Sequence, residues 1–343
     1  MELPETKNPI YREFFSKSNL KAKVEKTKWR GQPSENSFCF INPEVKYKER
    51  EGVVLNKLKE VFDIKFEPSD TFKKKFEMAI SGDGQEVKRI STLHSSSLAA
   101  LLLLYSVSKS KNLECTLDGN RYIFYDCFFE VKTNVKDTHF SNMDVVLIGE
   151  NSNGGNVICF LESKFSEYFN TGMCNNISID AYEQKYKELG LENEAIIGLH
   201  FEHGKGTDNQ ACLQIKSDHP HYCSGIKQMI SHYMGVTNFI EKGIDAMDPK
   251  QKNTCFSKEL NKLRNDGAEI ILGEVLFAFD KTVDKADEKG ETKLSRYSFI
   301  YEKLAEILND KTSKLHVLRH ILTYQDLLQG FELDKNIKAF YQL

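Results

Sequence analysis

The stretch MDVVLIGENSNGGNVICFLESKF, residues 143–165, decides how the chain is read. Two apolar runs, residues 143–149 and 157–165, flank the segment ENSNGGN. Asn, Ser and Gly at that density are turn chemistry: glycine reaches positive φ without strain, and Asn and Ser side chains bond their own backbone. The two runs therefore read as an antiparallel hairpin.

Side chains alternate along a strand with period two. Ile158, Phe160, Glu162 and Lys164 thus share one face, and Val157, Cys159, Leu161, Ser163 and Phe165 share the other. Both faces are apolar in the first half, so this strand is expected to be central and covered on both sides. Glu162 and Lys164 then interrupt it, and burying an ionised group costs several kcal/mol unless it is paired or holds a metal. With the turn centred on Asn153, Gly149 pairs with Val157 and Asp144 lies opposite Glu162, with Cβ atoms about 4.5–5.5 Å apart on one face. Two carboxylates that close repel, so one pKa rises or a cation sits between them.

Working outward, residues 121–132, RYIFYDCFFEVK, are aromatic and branched enough to add a strand and make a three-strand meander. Residues 92–109, TLHSSSLAALLLLYSVSK, read as a buried helix with serine N-caps. His94 precedes its first turn, as a capping or core-edge residue or as a residue near a site. Residues 51–62 show helical spacing. After the hairpin, a helix is expected at 178–190, a strand at 195–202, a loop at 203–222, an amphipathic helix at 224–240 and a buried strand at 269–280. A charged linker at 281–294 leads to helices at 296–309 and 312–328. The first 50 or so residues are rich in Lys and Arg and read as a solvated arm or as an arm touching phosphates. This order of elements is α/β with a mixed sheet.

Composition sets outer bounds. The chain has 343 residues, 40% hydrophobic and 28% charged, ordinary values for a globular protein. A net charge of −3 neither points to nucleic acid nor excludes it, since a local basic groove suffices. No apolar run reaches the ~18–20 residues of a membrane span. The N-terminal MELPETKNPI lacks the apolar core of a signal peptide, so a cytoplasmic location is expected. The eight cysteines are scattered without C-x-x-C spacing, which argues against zinc; Cys127 and Cys159 sit in apolar runs as small hydrophobes. P-loop, serine-elbow and H-E-x-x-H patterns are missing from the sequence.

Asp, Glu and Lys converging at the edge of a core suit a hard cation. Mg²⁺ takes oxygen ligands, commonly one or two carboxylates. A bound divalent ion acidifies water and neutralises charge on a transferring phosphoryl group, and a lysine can orient the water or stabilise the transition state. The chemistry implied is phosphodiester hydrolysis. An interstrand salt bridge of Asp144 or Glu162 with Lys164 accounts for the same residues, and the pattern alone leaves both readings open. Glu130 and Lys132 form a second E-x-K. Gln228 and His232 are four apart on one helix face. Glu167 reads as exposed.

The run NMDVVLIGENSNGGNVICFLESK, residues 142–164, resembles the core motif of the PD-(D/E)XK nuclease superfamily, the restriction endonuclease-like fold. That motif has an Asp at the start of one strand and (D/E)-x-K on the next, after a short hairpin. Asp144, Glu162 and Lys164 occupy those positions. HSSSLAALLLL, FFEVK, MDVVL, ESKFSEY and GIKQMISHYMG follow in the order associated with a bacterial subgroup. Met143 replaces the Pro, and no residue from 94 to 105 is acidic, where a first-helix carboxylate is often found.

The resemblance implies one nuclease-like domain over 1–343. Its core spans about 92–280, with an N-terminal extension at 1–91 and a C-terminal helical extension at 281–343. It implies a divalent-metal-dependent endonuclease of restriction or defence type, with Asp144 and Glu162 holding Mg²⁺ (or Mn²⁺) and Lys164 assisting the attacking water. Glu130 is then a candidate additional ligand, and Gln228 the polar residue expected on a flanking helix. DNA is the implied partner, with a homodimer as one way to cut both strands. The alternative is a catalytically silent nuclease-fold protein that binds nucleic acid or a protein partner.

Overall fold

The computed structural model describes residues 10–15, 25–29, 32–39, 47–64, 71–81, 90–136, 139–169, 175–178, 199–205, 211–217 and 223–343. The strands in chain order are β1 (Glu25–Trp29), β2 (Gln32–Cys39), β3 (Leu113–Leu117), β4 (Asn120–Lys136), β5 (His139–Asn151), β6 (Asn156–Lys164), β7 (Asn175–Ser178), β8 (Leu199–Lys205), β9 (Ala211–Ser217), β10 (Glu269–Leu276), β11 (His316–Val317) and β12 (Leu322–Thr323). The α-helices are α1 (Tyr47–Phe62), α2 (Thr71–Ala79), α3 (Ser96–Leu104), α4 (Cys223–Lys242), α5 (Cys255–Asn265), α6 (Lys293–Asn309), α7 (Tyr324–Leu327) and α8 (Lys335–Tyr341).

The hairpin forms in the expected register. Gly149 pairs with Val157, and the β5–β6 ladder runs on to Val145 opposite Leu161. Strands β3 to β6 make an antiparallel meander, and β10 lies parallel to β6. The short β11 and β12 both run parallel along the far side of β10, completing a mixed, open seven-stranded sheet. Strand β6 is central, as its two apolar faces required. Val157, Cys159 and Leu161 enter a core shared with α3, while Ile158 and Phe160 enter the opposite one, shared with α4 and α6. Helix α3 is buried at eight of its nine positions, Ser97 to Leu104, and the Ser95 side chain caps it by accepting from the Leu98 N–H at 3.2 Å.

Strand β3 is an addition to the expected meander. It joins β4 through Asp118-Gly119, whose φ angles of 44° and 84° suit a tight hairpin. Gly149 marks a close approach of backbones: a Cβ there would lie 2.2 Å from the Ile123 carbonyl oxygen and 2.7 Å from Phe124 Cα. These are main-chain atoms of a central ladder and have nowhere to go. Gly149→Ala is therefore expected to destabilise the fold by about 3 kcal/mol, at the upper end for overpacking, as read from the urea midpoint. An unchanged midpoint would mean that this register is wrong.

Several expectations are corrected. Residues 10–15 are not a solvated arm: Ile10, Tyr11, Phe14 and Phe15 are buried, and Phe14 packs 5.3 Å from Phe277 and 5.1 Å from Phe279 between ring centroids. Helices α1, α2 and α8 feed the same core, so apolar residues from Ile10 to Tyr341 share one cluster. Within 203–222, β8 and β9 pair antiparallel and join β7 in a three-stranded sheet instead of forming a loop. The helix expected at 178–190 lies outside the described residues.

The linker at 281–294 is pinned. Val283 and Asp284 are buried, and the Asp284 carboxylate accepts from the Lys293 and Leu294 N–H groups at 2.8 and 3.0 Å. Helix α6 starts there with a Thr292–Ser295 capping box. The second expected helix, 312–328, is mostly irregular: β11 and β12 take two residues each and only Tyr324–Leu327 is helical. The Asn309 side chain fixes β11 by accepting from the Val317 N–H at 2.9 Å and donating to the Val317 carbonyl at 2.7 Å. The C-terminal extension therefore completes the sheet edge and is not purely helical. Among the described residues no helix is long and apolar enough to cross a membrane.

Candidate active site

The site forms where β5 and β6 part. Beyond Val145–Leu161 the ladder stops, and the Asp144 Oδ2 accepts the Ser163 N–H at 2.9 Å in its place. Ser163 itself turns to the other face, where its hydroxyl donates to the Ser96 carbonyl at 3.2 Å and meets the Tyr324 hydroxyl at 2.7 Å. The strand end is thus tied to the start of α3 and to α7.

Glu162 and Lys164 point to the α4 side, and both are 4% exposed. Lys164 Nζ donates to Glu162 Oε1 at 2.5 Å and to Gln228 Oε1 at 2.6 Å. The Gln228 amide donates back to Glu162 Oε1 at 3.0 Å. His232 Nε2 lies 2.9 Å from Glu162 Oε2, and its Nδ1 meets the Ser141 hydroxyl. Gln228 and His232 stand one helical turn apart on α4, so one helix face grips both oxygens of the carboxylate. Gln228 is exposed and Asp144 half-buried, so the cluster meets solvent on that side.

Asp144 does not sit squarely opposite Glu162 by simple alternation. Phe129 and Val145 pair and face the α3 core, while Val131 and Met143 pair and face the opposite core. The period of two slips between those pairs, at Glu130 and Asp144. Glu130 absorbs the slip with φ +50°, a left-handed conformation that a non-glycine residue adopts at a cost of about 1–3 kcal/mol. Gln251 holds it there: its amide donates to the Glu130 carbonyl at 2.8 Å, and its oxygen accepts from the Lys132 N–H at 2.9 Å. The structure therefore brings Glu130, Asp144, Glu162, Lys164 and Gln228 together.

Electrostatics separate the two main carboxylates. Burial pushes Asp144 well above the ordinary range, Glu162 and then Glu130 add to it, and Lys164 and the Ser163 N–H work against it. Burial also acts on Glu162, but Lys164 and His232 outweigh it and hold its carboxyl at about 2. For Lys164, burial favours the neutral form, yet Glu162 and then Glu274 prevail and raise it above its usual value. Two neighbouring acids with opposite shifts are a common acid/base arrangement.

The sign of the Glu162 shift gives a pH dependence. Its folded pKa is depressed, so its stabilising contribution is complete above the unfolded value of 4.5 and is lost as pH falls from 4.5 toward about 2. Urea midpoints measured down this limb are expected to fall more steeply for wild type than for Glu162→Gln. Parallel limbs would contradict the pairing.

Three participants were not singled out from the sequence. Ser141 has no local signal. Glu274, 1% exposed, lies beside Glu162 in the β6–β10 register and accepts the Tyr297 hydroxyl at 2.8 Å. Its signal is the one that drew attention to Glu162, a carboxylate inside an apolar strand, here EIILGEVL. Tyr297 reaches it because residue 225 is glycine: a Cβ there would lie 2.2 Å from the hydroxyl oxygen.

Two other residues near the strand end also find partners. Glu167 is half-buried and not exposed as expected; its Oε2 accepts the Phe165 and Ser166 N–H groups at 2.7 and 2.9 Å. His94 is half-buried, bonded to the Tyr11 hydroxyl, and burial lowers its pKa against the pull of Glu167.

Asp144, Glu162 and Glu130 are hard oxygen donors, the kind Mg²⁺ takes. Among the described residues, no three His, Cys, Asp or Glu side chains stand in metal-holding geometry. Both Glu162 oxygens are engaged, so a cation there would compete with Lys164 and His232. Asp144 Oδ1 has no hydrogen bond among the described residues. No family model, curated protein or solved structure matches the chain.

Proposed function

We propose that the chain is a divalent-metal-dependent nuclease that hydrolyses phosphodiester bonds of DNA, with a restriction endonuclease-like core. The observation that carries this reading is the meeting of Asp144, Glu162 and Lys164 where β5 and β6 part, flanked by Gln228 from α4. The succession of a buried helix, an antiparallel meander, a further helix and a strand parallel to β6 supports the same reading. So does the charge balance among the described residues: Glu162, Glu274 and Asp144 all act on the ammonium of Lys164, and a divalent cation compensates such an excess.

Asp144 and Glu162 would hold Mg²⁺ or Mn²⁺, with Glu130 beside them. When bound, such an ion acidifies water and offsets charge on the phosphoryl group. Lys164, kept charged by Glu162 and oriented by Gln228, supplies a donor for the charge that develops on phosphate oxygens. The chain's net charge of −3 leaves DNA contacts to local patches, and these are salt-sensitive. A restriction or defence role, a cytoplasmic setting and a homodimer that cuts both strands belong to this proposal.

A second reading has its own observation. Glu162 is saturated by Lys164, Gln228 and His232, as in a closed structural ion-pair cluster. That favours a silent nuclease-like protein that binds nucleic acid or a protein partner. Incubation of the purified protein with plasmid DNA in Mg²⁺, Mn²⁺ or EDTA separates the two. Nicked or linear product with either metal and none in EDTA is expected. Intact plasmid, with no Mn²⁺ binding by calorimetry, would establish the silent reading instead.

A further inference from the structure

Lys164 holds the surplus that Glu162 does not absorb. An ammonium has three donors, and two of them go to Glu162 and Gln228. Glu274, on the neighbouring β10, is among the further carboxylates whose charge acts on Lys164. The parallel register sets Glu274 beside Glu162 and Leu276 beside Lys164, so Glu274 flanks the same face one strand away.

Glu274 is fixed on one side only. The Tyr297 hydroxyl holds Oε2, and Oε1 has no hydrogen bond among the described residues. Glu274 lines a cavity of about 10 Å³ with Met229, Tyr297 and Tyr301, and that space admits no more than about one water. A substrate group cannot enter it. Among the described residues, Lys164 is the opposite charge that acts on this buried carboxylate.

We infer that Glu274 is a positioning residue for Lys164, a second counter-charge toward which the ammonium turns when Glu162 is drawn away. The inference rests on the nuclease reading in one respect, that Glu162 must loosen its hold on Lys164 to face a cation. Tyr297 keeps Glu274 in place while Lys164 moves, and Gly225 leaves the room that Tyr297 needs.

A double-mutant cycle with Glu274→Gln and Lys164→Met tests the pairing by thermal unfolding without metal. With Lys164 present, Glu274→Gln removes an attraction; with Met at 164 it removes an unpaired buried acid. The Tm change caused by Glu274→Gln is therefore expected to differ between the two backgrounds by about 2 °C or more. Equal changes overturn the inference. Calorimetry with Mn²⁺ gives the second readout: Glu274→Gln is expected to weaken binding about tenfold, because Lys164 then stays on Glu162, and Tyr297→Phe is expected to weaken it less. Wild-type affinity in Glu274→Gln, alongside normal wild-type binding and cutting, overturns the inference and leaves the nuclease reading standing. Wild type that neither binds Mn²⁺ nor cuts removes the nuclease reading, and the unfolding cycle then decides the Lys164–Glu274 pairing by itself.

Discussion

Glu162→Ala is expected to lower DNA cleavage about a thousandfold or more and to unfold the protein at markedly lower urea. Loss of a carboxylate that holds a divalent ion forfeits several kcal/mol of transition-state stabilisation, and each 1.36 kcal/mol is tenfold in rate. The stability effect has a separate origin. Lys164 and His232 would remain buried without their shared carboxylate, and breaking a buried pair from one side costs about 3–5 kcal/mol. Loss of activity in an unfolded protein proves nothing, so Asp144→Asn is the companion variant. Burial and two neighbouring carboxylates favour a neutral Asp144, and Asn keeps an oxygen for the Ser163 N–H. This variant is expected to be at least as stable as wild type near pH 7 and yet to have lost cleavage and Mn²⁺ binding together. Plasmid cutting by Asp144→Asn at the wild-type rate would remove Asp144 from the site.

The Gly149–Val157 register could be read because turn residues are dense between two alternating runs, and because slipping by one residue would carry Glu162 and Lys164 into the apolar core on the other face. The same alternation put Glu162 and Lys164 on one face. Asp144 was placed near them for a partly mistaken reason. Its approach depends on the slip at Glu130, which Gln251 enforces from 121 residues away, and no local pattern encodes such a contact.

Other misses differ in kind. Asp118-Gly119 carries a direct hairpin signal, and β3 follows from it. The apolar spacing of 312–328 suits a helix locally, but β10 has an open edge, and pairing with β11 and β12 overrides that preference. The sequence shows His232 only as sharing a helix face with Gln228. Its burial became visible only with the sheet beneath α4, where Gly235 brings the helix within 3.2 Å of Ser141 Cβ for an added Cβ.

Lys164→Met separates a working lysine from a merely structural one. Among the described residues, the substitution removes the lysine that acts on Glu162, Glu274 and Asp144, and leaves His232 and Gln228 as the partners of Glu162. A loss of about 3–5 kcal/mol is expected, read from urea midpoints. The loss is pH-dependent with a definite sign. Burial raises Glu274 to about 7 even with Lys164 opposing it, so without the lysine the folded state holds its protons to still higher pH. A raised carboxyl loses stability as pH climbs above the unfolded value, so Lys164→Met is expected to be more stable at pH 5 than at pH 8, with a steeper fall than wild type.

Cleavage, measured at a pH where Lys164→Met is folded, is expected to drop by about 10²–10³, the loss typical of one donor aimed at developing charge. Lys164→Arg completes the test. Arg restores the positive charge and recovers much of the stability, but its planar fork and permanent charge place donors differently from a compact ammonium. A purely structural lysine predicts that Arg restores everything. A lysine that serves the reaction predicts a folded Lys164→Arg protein that still cuts poorly, and full cleavage by Lys164→Arg would assign the whole cluster to stability.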